Sequence, residues 1–162
     1  MKFDKFTLKA QEALATAQQI AMAKSHTVLS PLHLLSAVCS DEDGIVVMIL
    51  KKIGTNIGRL TDMIENELNR LPQGSTSSQL MPDPALNQTV LDAQNRADAM
   101  GDEYLSVEHL FLSLASVQSD AKEILRLNSI EEKDIENAVT FKGLVFAFGA
   151  LVGYLLTASN VL

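Results

Sequence analysis

Residues 14–38, LATAQQIAMAKSHTVLSPLHLLSAV, and residues 90–114, VLDAQNRADAMGDEYLSVEHLFLSL, decide the reading of this chain. They align without a gap at a constant offset of 76 residues. Ala17-Gln18 falls on Ala93-Gln94, Leu29-Ser30 on Leu105-Ser106, and His33-Leu34 on His109-Leu110. After a one-residue gap, Ile49-Leu50 matches Ile124-Leu125, Leu60 matches Ile135 and Ile64 matches Val139. An internal repeat of this length outranks local propensity as evidence for architecture.

Each copy reads as four helices. Phe6, Ala10, Ala13, Leu14, Ala17, Ile20 and Ala21 recur at helical spacing over residues 6–23. Ser30-Pro31 then opens a strongly apolar second helix, with serine as the cap and proline where no amide hydrogen is needed. Asp41-Glu42-Asp43 places negative charge at the start of a third helix, which runs through Ile45, Ile49 and Ile53 to a stop at Gly54. A fourth follows Asn56. In the second copy Asp83-Pro84 repeats the cap and proline, Gly101 ends the first helix and Ser106 caps the next. Shorter helices are expected around 120–127 and from about 130 to 140. The fold class is therefore all-α: two pseudo-symmetric four-helix repeats packed together, over residues 1–71 and 85–140. Residues 72–84 (PQGSTSSQLMPDP), with three prolines, cannot sustain a helix and read as a linker.

Composition narrows the function classes. Aromatic residues are 5 % of the chain and Trp is absent, so Leu, Ile, Val, Ala and Met must build the core. The net charge is -7, which argues against nucleic acid as a partner because phosphates need Lys and Arg to neutralise them. Cys39 is the only cysteine, so no internal disulfide exists and nothing points to an oxidising compartment. A cytoplasmic location is expected. Residues 143–162 carry no charge. At about 1.5 Å per residue, such a helix matches a bilayer core about 30 Å thick, and Gly149 to Gly153 is a G-x-x-x-G spacing. Residues 141–162 thus read as an apolar C-terminal helix with three interpretations: a tail anchor contacting a membrane, a helix buried against protein, or the unselected end of a truncated gene.

No catalytic set emerges. His33 and His109 occupy equivalent positions three residues after each cap serine and read as structural, bonding nearby backbone. Cys39 reads as a small buried hydrophobe. Glu131-Glu132 reads as solvated charge at a helix start. No phosphate-binding G-x-x-x-x-G-K-[ST] loop occurs in the sequence, and no cofactor or metal is expected.

The doubled Leu-Ser-x-x-His-Leu pattern resembles the Clp N-terminal repeat of the AAA+ disaggregases and unfoldases. MKFDKFTLKAQEAL and SPLHLL are most similar to the ClpB type. The resemblance covers residues 1 to about 139. It implies a protein-binding module without an ATPase motor of its own, which captures unfolded or aggregated clients or adaptor proteins. Its alternatives are a decoy or assembly subunit docking on a full-length Clp ATPase, and a truncated ClpB fragment. It also implies a role in client handling for Thr7, Asp102 and Glu108, each of which equally fits a capping role at a helix terminus. The ClpC type is thought to read phosphorylated arginine with one Glu per repeat. Leu32 and Glu108 stand at those positions here, so that activity is not expected. In the repeat register Asp102 and Glu108 correspond to His26 and Leu32, which predicts one acidic face and one apolar face.

Overall fold

The computed structural model describes residues 3–75 and 79–140, and among them eight α-helices form the fold. The expected apolar C-terminal helix falls on residues 141–162, outside the described residues. Among the described residues no helix is long and apolar enough to cross a membrane. The helices are α1 (Leu8–Ala23), α2 (Pro31–Ser40), α3 (Ile45–Ile53), α4 (Ile57–Leu68), α5 (Pro84–Met100), α6 (Val107–Ser116), α7 (Asp120–Leu127) and α8 (132–140).

Their boundaries follow from local chemistry. Thr7, Asn56, Asp83 and Ser119 each accept a backbone N–H with the side chain at a helix start. Gly54 and Gly101 end α3 and α5 at φ 88° and 73°, in the left-handed region that closes a helix. The corresponding stops in the other copy are serines: Ser25 at φ 56° after α1 and Ser129 at φ 58° after α7. Phe6 departs from the expected helix. It shares helical spacing with Ala10, but Thr7 takes the cap, so Phe6 lies before α1 in a parallel bridge to Leu105.

The linker is likewise more than a spacer. Two-residue strands β1 (Val28–Leu29) and β2 (Met81–Pro82) pair in parallel. The two bridges are copies of each other, because Phe6 and Pro82, and Leu29 and Leu105, are equivalent positions in the repeat register. The Thr7 N–H donates to the Leu105 carbonyl at 2.9 Å, and the Asp83 N–H donates to the Leu29 carbonyl at 2.8 Å. The cap residue opening each repeat is thus held by the residue before the central helix of the other.

The core is one cluster around α2 and α6, the two most fully buried helices. Leu34, Leu35, Leu110, Phe111 and Leu114 are fully enclosed. Each such side chain contributes on the order of 1.5–3 kcal/mol of burial free energy. α1 packs on α2 and α5 on α6, while α3 touches α6 and α4 touches α7. Arg96 joins α5 to α8 through Glu132 at 2.7 Å, and Lys52 at the end of α3 donates to the Ala138 carbonyl at 3.2 Å.

Candidate partner-binding site

The first turns of α2 and α6 carry the same device. His33 and His109 sit three residues into the cap and reach back, so that the N–H of Ser30 or Ser106 donates to Nδ1 at 2.9 Å. These are reciprocal capping boxes with histidine in the role usual for Glu or Gln. The structural reading of the two histidines holds. Because Nδ1 accepts, the proton of each neutral ring belongs on Nε2.

What receives that proton differs. In the first repeat the partner is His26 Nδ1, 2.8 Å from His33 Nε2. His26 must then carry its own proton on Nε2, which is buried without a well-formed hydrogen bond, although the Leu68 carbonyl is near enough to favour a proton there. Burial, reinforced by the neighbouring His26, pushes the His33 imidazole down to about 4. Burial and nearby Lys24 also lower His26. In the second repeat the partner is the exposed Asp102 carboxylate, with Oδ2 2.9 Å from His109 Nε2.

A groove of about 870 Å³ lies where α1, the α2–α3 turn and the start of α6 meet. Its apolar wall comes from Ala13, Val38, Ile45 and Val107. Lys9 and Glu12 pair along the α1 wall at 3.2 Å, leaving Asp41, Asp43 and Glu108 as excess negative charge. Gly44 belongs to the same edge: a Cβ there would meet the Asp41 carboxylate at 2.7 Å.

Thr7 and Glu108, expected from sequence, both line this groove, whereas Asp102 does not. The Thr7 hydroxyl is also engaged as the α1 cap, accepting from the Ala10 N–H at 3.1 Å. Asp41 and Asp43 escaped the sequence reading as groove residues. They looked like dipole partners of α3, but Gly44 is its cap and the two carboxylates turn to the groove. Their only signal was three consecutive acidic residues.

The pseudo-symmetric counterpart is a slot of about 200 Å³ lined by Ser30, Leu32, Asp83, Ser119 and Asp120. It corrects the expected apolar face. Leu32 is 1 % exposed, because a leucine in the first turn of α2 turns into the core where Glu108 stays half-buried at the surface. The slot is instead small and bordered by two aspartates.

No group of three or more His, Cys, Asp or Glu side chains suited to a metal occurs among the described residues. Cys39 is buried, and burial pushes its thiol up to about 12, so it is an inert hydrophobe rather than a nucleophile.

Residues 5–128 match the family model of the Clp repeat (R) N-terminal domain. The chaperone protein ClpB of Propionibacterium freudenreichii is 34 % identical over 140 residues, which is 85 % of this chain and 16 % of that protein. This chain therefore spans about one sixth of the length of the curated relatives it matches. The Hsp104 N-terminal domain from Candida albicans superposes with a TM-score of 0.77 at 20 % identity, covering 86 % of this chain and 93 % of that one. A ClpV N-domain in complex with a VipB peptide gives 0.63 at 15 % identity, covering 81 % and 82 %.

Proposed function

The chain belongs to the Clp repeat N-terminal domain family, and on that premise we propose that it is a non-catalytic protein-binding module. It captures apolar segments of unfolded clients or of adaptor proteins and delivers them to a Clp ATPase. The observation that carries this reading is the groove at the start of α6, with an apolar wall and a rim of Asp41, Asp43 and Glu108. Burial of an apolar segment supplies affinity there, and the carboxylates favour segments flanked by Lys or Arg. Thr7 and Glu108 are the partner-facing residues expected from sequence that share this groove. The peptide-bound ClpV N-domain lends support, since it is a relative of the same fold with a peptide ligand.

The test is fluorescence anisotropy with a labelled twelve-residue peptide of leucines and arginines, run beside thermal melts. Glu108→Lys should weaken binding about fivefold, near 1 kcal/mol for a solvent-screened rim charge, with the melt unchanged. Unchanged affinity in a folded variant would place the partner site elsewhere.

A further inference from the structure

Two different side chains perform one task at equivalent positions. His26 and Asp102 occupy the same place in the repeat register and face the Nε2 of the capping histidine at 2.8 Å and 2.9 Å. One is a buried neutral imidazole and the other an exposed carboxylate. A site selected for negative charge would not be filled by an imidazole in the copy. What the two share is an acceptor, His26 Nδ1 or Asp102 Oδ2, for the proton that the Nδ1-accepting histidine must carry on Nε2.

The consequence for the groove is local. Ser106, Val107 and Glu108 line it, and they form the turn that the capping box closes. The Ser106 N–H donates to His109 Nδ1 at 2.9 Å, with the Ser106 hydroxyl 3.0 Å from the same nitrogen. Glu108 lies between Ser106 and His109, the two bonded ends of that turn. If the ring lost its Nε2 acceptor, it could flip or change tautomer, and Nδ1 would no longer be held as the acceptor for Ser106. The Asp102 backbone is fixed independently, its N–H donating to the Ala97 carbonyl at 2.9 Å beyond the Gly101 stop, so its carboxylate is presented to His109 by a closed turn.

We infer that Asp102 is a positioning residue: it locks His109 as the Nε2–H tautomer and thereby sets the α6 turn that presents Glu108 to the groove, without touching the partner. This rests on the groove being the partner site. It assigns the Asp102 role to hydrogen-bond acceptance rather than to charge.

The experiment uses the full chain with ¹⁵N-labelled histidine and the same leucine–arginine peptide. Asp102→Asn, whose side-chain carbonyl still accepts, should keep His109 in the Nε2–H form and hold peptide affinity within twofold. Asp102→His, which copies the first repeat, should do the same at pH 7.5. Asp102→Ala should mix the two tautomers and lose affinity about threefold or more. If Asp102→Asn and Asp102→Ala lose affinity equally while the His109 tautomer is unmoved, Asp102 contacts the partner through its charge and the inference is overturned. If His109 is mainly Nδ1–H in the unaltered protein, it is overturned as well. Should the tautomer results hold while Glu108→Lys leaves peptide binding unchanged, the positioning of the turn stands and the groove reading alone fails.

Discussion

The starts of α2 and α6 have the same cap, the same histidine and the same bond lengths, yet one is sealed in the core and the other meets solvent. Ser30-His33 leads to a buried imidazole with an orphaned nitrogen, whereas Ser106-His109 leads to a hydrated carboxylate. Leu32 turns inward where Glu108 remains at the surface. The internal repeat presents two equivalent scaffolds. Differences at two register positions, 26/102 and 32/108, make one helix start a structural plug and the other the edge of an acidic groove.

Removing the histidines should break this comparison most sharply. His33→Ala empties a fully buried position, opens the capping box and strands His26, so a loss of about 3–4 kcal/mol is expected. His109→Ala should lose about 2 kcal/mol, because Asp102 simply returns to water. Urea unfolding of both variants measures the difference, and equal losses would show that the two starts are energetically alike.

Acid probes the same pair with a somewhat smaller effect. His33 and His26 are both held below the ordinary histidine value in the folded protein. The unfolded chain therefore takes up protons that the folded one refuses. The stabilisation is complete above about pH 6.5, declines as the pH falls, and is spent once His33 titrates near 4. A loss of about 2 kcal/mol between pH 7 and pH 5 is expected from urea midpoints. A flat profile over that range would mean that the pair is hydrated and titrates normally.

The helix stops offer the mildest test. Gly101 and Ser25 are equivalent left-handed residues, as are Gly54 and Ser129. Serine is strained there by its Cβ. Ser25→Gly should raise stability by about 0.5–1 kcal/mol, and Gly101→Ser should lower it by a similar amount. Thermal melts read both, and opposite signs are required.

Much of this was legible in the sequence, because caps and stops are short-range chemistry. Ser30-Pro31, Asn56, Asp83-Pro84, Gly54 and Gly101 each mark a boundary through a requirement met within three or four residues. Phe6 marks the limit of the same short-range logic: its helical spacing to Ala10 is real, but the Thr7 hydroxyl wins the cap. The paired strands were hidden because two residues are too few to show a period of two. The groove was partly hidden because Asp41 and Asp43 face it only through the turn between α2 and α3, while Thr7 and Glu108 meet only when one repeat packs on the other. The histidine partners could be aligned by register, but that His26 is dry and Asp102 wet depends on what α4 covers.

The reciprocal bridges, Phe6 with Leu105 and Leu29 with Pro82, give the molecule the logic of an exchanged dimer. Each half is completed by a backbone bridge from its sibling, so neither owns all of its own edges. The linker adds bonds of its own, Gly74 N–H to the Ser25 carbonyl at 2.9 Å and Asp83 N–H to the Leu29 carbonyl at 2.8 Å, and its covalent continuity keeps the halves at an effective concentration in the millimolar range. A chain cut there should persist as a two-fragment complex, and halves produced separately should find each other and restore one fold.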